Sequence, residues 1–433
     1  MSTLERIFKL NEHKTDVKTE VIAGITTFMT MGYILAVNPG ILSATGMDPG
    51  GVFTATALSA VIATLIMAFY ANYPFALAPG MGLNAFFAFS VVLGMGHSWE
   101  FALTAVFLEG LIFILLSFVN AREAIVNAIP MNLKNAVSVG IGLFIAFIGL
   151  QGAGIIVNDD AVLVALGDLT QPTAIVAILG IIITGILLYK KVKGAILIGI
   201  LVSTVISIPL GVTQFNGFVS LPPSLAPVAF KLRFSAAEIF SLDMLVVLFT
   251  FLFVDVFDTI GTLIGVASKA DMLDKDGNLP RVKPALFADA VGTSVGALLG
   301  TSTVTTYVES AAGVAEGGRT GLTALTTSVL FALALFFAPI FGIIPGAATA
   351  PALIIVGLFM MSPIMKINLD DFTEAIPAFL TIIMMPLAYS IAEGIVFGMV
   401  SYTLLKTLTG KYKDVSIVMY ILSILFVLKY IFL

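Results

Sequence analysis

The sequence predicts an all-α polytopic membrane protein: fourteen transmembrane segments in two halves of seven, with short extended breaks in segments 3 and 10. Three observations carry this expectation. The 433 residues are 59% hydrophobic and 11% charged, with a mean hydropathy of +1.09, far from the averages of soluble chains. The apolar runs are of helix length, not the ten-residue alternations of a barrel, and a helix satisfies its own backbone inside lipid. Finally, Asp255, Asp258, Asp289, Glu309 and Glu316 stand in or beside otherwise apolar stretches. A charge at bilayer depth costs about 2.5–3.5 kcal/mol, so several in one bundle require a polar cavity. The simplest purpose of such a cavity is to hold a polar solute on its way across.

In chain order, apolar segments are read at 20–43, 52–71, 75–95, 98–120, 133–152, 171–189 and 194–211, then at 242–267, 284–300, 302–317, 320–340, 348–364, 372–389 and 391–408. A further apolar stretch at 415–432 either spans or lies in the interface. Residues 1–20 are polar, with Arg6, Lys9, Lys14 and Lys18, so no cleavable signal is expected. Residues 212–241, with Pro222, Pro223 and Pro227, read as the linker between the halves. With the N-terminus cytoplasmic, 18 of the 21 Lys and Arg fall in cytoplasmic loops, including Arg122, Lys190, Lys191, Lys193 and Lys275. That matches the positive-inside rule. The loop with Asp159, Asp160 and Asp168 has no Lys or Arg and falls outside.

Seven is odd, so a repeated half would be inverted, an arrangement common in secondary transporters. Val139–Phe144 resembles Ile355–Phe359, and Tyr189 with Gly194 mirrors Tyr389 with Gly394. Segments 3 and 10 occupy matching places and both are broken. Pro74, Pro79, Gly80 and Gly82 interrupt the third before Asn84 and Phe86, and the β-branched run Thr301–Val308 opens the tenth ahead of Glu309. Each reads as a short extended piece followed by a half-helix. Irregular backbone at membrane depth needs protein or a wet cavity around it, so the two breaks should meet and form a site. Half-helix N-termini would point there, with Asn84 and Glu309 in comparable positions.

Segment 8 adds a wall. Asp255, Asp258, Thr259 and Thr262 are spaced i, i+3, i+4, i+7 and form one polar stripe on an apolar helix. Segment 1 has a milder stripe of Thr26, Thr30 and Tyr33, whose threonines are expected to bond back to their own helix. Glu316 and Arg319, three apart, are expected to pair on the cytoplasmic side. Glu109 is read as a brace, Glu374 as a helix-start charge and Glu393 as a local cap or pair.

What is missing also limits function. There is no Cys and only two His, His13 and His97, which argues against disulfides, thiol chemistry and a His/Cys metal site. No basic block fits nucleic acid. Gly300-Thr301-Ser302-Thr303 lacks a phosphate-loop lysine, and no enzyme is expected. Two aspartates leave an intramembrane aspartyl protease as a rival without other support.

The runs Phe253-Val254-Asp255-Val256-Phe257-Asp258-Thr259, Thr305-Thr306-Tyr307-Val308-Glu309-Ser310 and Ala78-Pro79-Gly80-Met81-Gly82-Leu83-Asn84-Ala85-Phe86 resemble the nucleobase:cation symporter-2 superfamily, and within it the AzgA-like adenine/guanine/hypoxanthine permeases. The likeness runs from Asn11 to Lys411. It implies a UraA-like fold, a seven-plus-seven inverted repeat. Its core would comprise residues 1–120 and 242–340 and its gate 121–211 and 348–408, with the linker at 212–241 and a hydrophobic tail at 409–433. It further implies a homodimer in the cell membrane that moves a nucleobase with a proton. By motif position, Asp258 and Glu309 would hold the base. Asp255, Thr259, Asn84 and Asp289 lie at positions linked to binding or coupling. Thr262 stands where uracil and xanthine carriers often have a histidine, which argues against assuming those substrates.

Chemistry points the same way. An ionised carboxylate only accepts hydrogen bonds, which suits the adjacent ring N–H and amine of guanine or the single ring N–H of hypoxanthine. Adenine, a donor beside a ring acceptor, favours a protonated carboxyl or an amide. Phe86, Phe87 and Tyr307 could supply a slot for a flat ring. Burial and neighbouring charge change how tightly a carboxyl holds its proton, and Asp289 and Asp255 are the expected secondary proton carriers. No cofactor is expected beyond the coupling proton. The alternative is a carrier of the same fold for an inorganic anion, or for uracil or xanthine.

Overall fold

The computed structural model describes residues 3–119, 130–214, 217–269, 272–273 and 279–432. Arg122 and Lys275, counted above among the cytoplasmic charges, lie outside the described residues. In chain order the helices are α1 (Thr3–Phe8), α2 (Val17–Met31), α3 (Ile34–Ser43), α4 (Pro49–Ile66), α5 (Met81–Ala85), α6 (Trp99–Val119), α7 (Met131–Gly152), α8 (Pro172–Tyr189), α9 (Ala195–Ser207) and α10 (Ala236–Ile239). The chain continues with α11 (Leu242–Lys269), α12 (Val282–Leu299), α13 (Ser310–Ala315), α14 (Gly321–Ala334), α15 (Ala338–Gly342), α16 (Gly346–Met360), α17 (Phe372–Leu387), α18 (Ile391–Leu408) and α19 (Ile417–Phe432). Strands are short: β1 (Leu77–Pro79), β2 (Ile156–Asp159), β3 (Leu163–Leu166) and β4 (Val304–Thr306).

Among the described residues, ten helices are long and apolar enough to cross a membrane, and four apolar helices are shorter. The protein is a mostly helical, multi-pass membrane protein. The tenth apolar stretch forms no long helix, only β4 and the six-residue α13. Wider π-helical turns extend α4 over Met67–Ala71 and α5 over Phe86–Gly94, so helical regularity breaks down on both sides of β1.

Helix starts follow local chemistry. Asp16 accepts from Thr19 N–H at 3.0 Å to open α2, and Asp48 accepts from Gly51 N–H at 2.6 Å with Pro49 in the first turn of α4. Asp371 opens α17 and Ser390 opens α18 in the same manner. Such caps satisfy N–H groups the helix leaves without partners.

Packing joins α7 to α16 and α17, α17 to α18, and α8 to α9 and α16. A second set of contacts joins α12 to α6 and α4, α14 to α2 and α4, and α13 to α2. The fragments Val139–Phe144 and Ile355–Phe359, alike in sequence, meet where α7 crosses α16. A Cβ on Gly142 would lie 2.5 Å from the Gly357 carbonyl oxygen, so only small residues permit the crossing.

The proline-bearing linker lies over helix ends. Thr54 donates to the Pro223 carbonyl at 2.8 Å, Phe230 N–H to Leu298 O at 2.7 Å, and Arg233 N–H to Thr104 Oγ1 at 2.8 Å. The acidic loop after α7 carries a hairpin, β2 against β3, that the sequence reading did not anticipate. Its turn is set by Asp159, whose carboxylate accepts from the N–H groups of Ala161 and Val162. The last helix, α19, packs on α18 through Thr403–Ser423 (2.9 Å) and Thr407–Tyr420 (2.7 Å), and reaches α11 through Phe426 and Phe249, centroids 5.6 Å apart.

Candidate functional site

The two breaks meet inside the bundle. β1 and β4 pair antiparallel, with Leu77 opposite Thr306, Ala78 opposite Thr305 and Pro79 opposite Val304. The ladder continues at both ends, Tyr307 N–H to Ala76 O at 2.9 Å and Gly80 N–H to Thr303 O at 3.0 Å. This pairing gives the extended backbone the partners that no solvent could supply at that depth. Thr and Val favour the strand on one side. On the other, Pro79 forgoes an N–H that the ladder does not need there.

Side chains lock the breaks in place. Asn38, fully buried on α3, donates to Thr56 Oγ1 at 2.7 Å and Thr301 Oγ1 at 2.8 Å. Ser302 donates to Asn84 Oδ1, so Asn84 bridges the third segment to the tenth. Tyr307 donates its hydroxyl to the Pro79 carbonyl at 2.5 Å.

Beside the strand pair lies a cleft of about 70 Å³, lined among others by Tyr33, Asp258, Thr262, Tyr307, Glu309 and Met360. Glu309 immediately precedes α13, yet its carboxylate does not cap that helix. Instead Tyr33 donates its hydroxyl to Glu309 Oε1 at 2.7 Å. A larger cavity of about 540 Å³ lies elsewhere, between Pro39, Pro223, Phe341 and Gly346, and no titratable side chain lines it. The smaller cleft, where the acids converge, is the better candidate.

The stripe on α11 divides between two places. Asp258 and Thr262 line the cleft. Asp255 and Thr259 are fully buried behind it. Thr259 Oγ1 lies 2.9 Å from Asp289 Oδ1, 3.3 Å from Asp255 Oδ1 and 2.8 Å from Thr305 Oγ1. Glu109 Oε2 accepts from Thr303 Oγ1 at 2.7 Å, and its carboxyl interacts with both Asp255 and Asp289. Three buried carboxyls thus gather behind β4, while Asp258 and Glu309 sit at the cleft.

Of the expected site residues, Asp258, Glu309 and Tyr307 share the cleft. Asp255, Thr259 and Asp289 share the inner cluster, and Asn84 braces the strand pair. Phe86 does neither: it is fully buried and packs edge-on against Phe251, centroids 4.8 Å apart. Thr30 bonds back to Thr26 O (3.1 Å) and Thr27 O (2.8 Å) as expected, and also reaches the Glu309 carbonyl at 3.4 Å. The pairing expected between Glu316 and Arg319 is replaced. Glu316 pairs with Lys193 from the α8–α9 loop, and Arg319 donates to the carbonyls of Val314 (2.7 Å) and Gly318 (2.8 Å). The carbonyls at and just past the end of α13 draw the guanidinium away.

Sequence reasoning did not single out Tyr33 or Thr303 as site groups and passed over Asn38 and Glu20 altogether. A lone Asn38 or Glu20 in an apolar helix carries no periodic signal; only the pairing partner reveals it. No group of three or more His, Asp or Glu could hold a metal ion among the described residues.

The model of the Permease family matches residues 18–397. A putative permease of Methanocaldococcus jannaschii is 52% identical over 434 residues, covering 100% of this chain and 99% of that protein. The guanine/hypoxanthine permease PbuG of Bacillus subtilis is 48% identical over 443 residues, covering 99% and 100%. The adenine permease AdeP of Escherichia coli is 45% identical over 429 residues, covering 99% and 96%. Among solved structures, the transmembrane domain of a cyanobacterium bicarbonate transporter, BicA, matches with a TM-score of 0.63 at 18% identity, covering 88% of this chain and 97% of that one. At that identity the likeness concerns the fold alone.

Proposed function

This chain belongs to the Permease family, and from that premise we propose that it is a secondary active transporter importing purine nucleobases, hypoxanthine and guanine or adenine, by proton symport. It is a membrane permease and not an enzyme. The observation that carries the purine reading is the convergence of Asp258, Tyr307 and Glu309 on one cleft beside the β1–β4 pair. Two carboxylates offer acceptors to ring N–H and amine donors, and Tyr307 offers an aromatic face. Relatives named as adenine and as guanine/hypoxanthine permeases, matched over nearly their whole lengths, support the same substrate class.

In this reading the base binds between Asp258 and Glu309, and the inner cluster of Asp255, Asp289 and Glu109 exchanges the coupling proton. Residues 1–120 and 242–340 form the moving core, and 121–211 and 348–408 the gate; the two sets of helix contacts support that division. The cleft is small, about 70 Å³, and is closed on one side by Val356 and Met360. Withdrawal of that wall, carried on α16, would open the cleft to the base, which is how alternating access would operate. We further propose a homodimer in the cell membrane with its N-terminus cytoplasmic. Acceptor carboxylates at the cleft disfavour the alternative of an inorganic anion.

The test is uptake of labelled hypoxanthine, guanine, adenine and uracil into vesicles holding the purified protein, with and without an inward proton gradient. Purine uptake that the gradient drives, and that Glu309→Gln and Asp258→Asn each reduce at least about tenfold, is expected. Uptake of bicarbonate or sulfate without purine competition would overturn the substrate, and indifference to the gradient would overturn the coupling.

A further inference from the structure

Tyr33 interrupts the first long helix: α2 ends at Met31 and α3 begins at Ile34. At that interruption its ring is buried, it lines the cleft, and its hydroxyl meets Glu309 Oε1 at 2.7 Å. The contact is held from both sides. Thr30, one turn earlier, reaches the Glu309 carbonyl. Downstream, α13 lies so close to α2 that a Cβ on Gly313 would stand 2.6 Å from the Ala23 carbonyl oxygen. These contacts fix the two backbones that carry the hydroxyl and the carboxylate.

We propose that Tyr33 determines which purine this carrier prefers by occupying one oxygen of Glu309. A carboxylate presents two oxygens, and a flat edge with two adjacent donors, such as the ring N–H and 2-amino group of guanine, uses both in a fork. Tyr33 supplies a standing donor to Oε1, so Oε2 is the less engaged acceptor of the two. A base with a single N–H on that edge, such as hypoxanthine, loses nothing. The 2-amino group of guanine must share Oε1 with the phenol, which already fills one of that oxygen's two lone-pair directions and draws on its charge, so it gains little. Tyr33 is thus a specificity-determining residue acting through Glu309, and the inference rests on the purine reading above.

The experiment measures inhibition constants of guanine and hypoxanthine against labelled hypoxanthine uptake in vesicles holding the full chain, for wild type and Tyr33→Phe. The wild type is expected to gain less than about twofold from the 2-amino group. In Tyr33→Phe, Oε1 is released and the ratio is expected to shift toward guanine by at least about fivefold, the worth of one net hydrogen bond. A merely structural role would lower transport of both bases together and leave the ratio unmoved, and that result would overturn the inference. Should the variant not fold, a wild type that already favours guanine by fivefold or more would overturn it equally. If the wild type transports and binds no purine at all, the purine reading fails first and this inference with it.

Discussion

Replacing Glu20 by Ala should destabilise this protein more than any single change at the cleft, although Glu20 never touches solute. The residue is fully buried on α2 and serves the start of α14. Its Oε1 accepts from Arg319 N–H at 2.8 Å; its Oε2 accepts from Thr320 N–H at 3.3 Å, Thr323 N–H at 3.1 Å and Thr323 Oγ1 at 2.6 Å. Other donors of this helix start are already served, Gly321 N–H by Asn72 Oδ1 at 2.8 Å and Thr323 N–H in part by the Thr320 carbonyl at 3.2 Å. Glu20→Ala therefore strands chiefly the N–H groups of Arg319 and Thr320. At about 1–3 kcal/mol for each stranded donor, the loss is about 2–6 kcal/mol. Glu20→Gln can keep a carbonyl oxygen where Oε2 stood but turns an NH2 toward Arg319 N–H, so it should lose about half as much. The assay is thermal unfolding of detergent-solubilised protein followed by size exclusion, with the expected order wild type, Glu20→Gln, Glu20→Ala. Thr323→Ala should cost less on the Glu20→Ala background than in the wild type, because the carboxylate partner of its hydroxyl is already gone and only the residue-20 carbonyl at 3.2 Å remains. Equal melting of wild type and Glu20→Ala would refute the reasoning.

Two further outcomes follow from the geometry. A Cβ on Gly80 would lie 2.6 Å from Thr305 Cγ2, so Gly80→Ala should cost about 1–3 kcal/mol by overpacking and depress uptake; Thr305→Ser, which removes that methyl, should restore melting, and no restoration would count against the clash. At the start of α17, Lys411 Nζ at 2.6 Å and the Thr373 hydroxyl and N–H hold the Asp371 carboxyl well below the usual carboxylate range. A depressed carboxyl stabilises the fold above its unfolded value, about 3.9, and that contribution is lost as pH falls through the folded value. The melting difference between wild type and Asp371→Asn should therefore be level above about pH 5 and shrink below about pH 4; a difference that grew with acid would contradict the assignment.

Much of the site was legible because its residues break patterns. Prolines and glycines at 74–82 and a β-branched run at 301–308 cannot continue a membrane helix, so two extended pieces were expected and β1 and β4 are found there. Acids in apolar helices are costly, so Asp255, Asp258, Asp289 and Glu309 stood out. Phe86 is buried against Phe251, a placement that no sequence pattern tells apart from one facing a solute. Arg319 misled because spacing of three suggested Glu316, whereas helix-end carbonyls and a lysine from another loop competed for the two charges.

Composition and periodicity alone determined that this chain is a helical membrane protein with two broken segments, since lipid leaves the backbone no other solution. Only the packed structure decided which face of α11 meets which acid. A helix places Asp255 and Asp258 about 60° apart, and whether that angle leads to one site or two depends on what stands opposite. Here Glu309 stands opposite one and Thr305, Asp289 and Glu109 opposite the other. The Tyr33–Glu309 hydrogen bond, joining residues 276 positions apart, has no local signature at all and exists because α2 and α13 are pressed together by glycine.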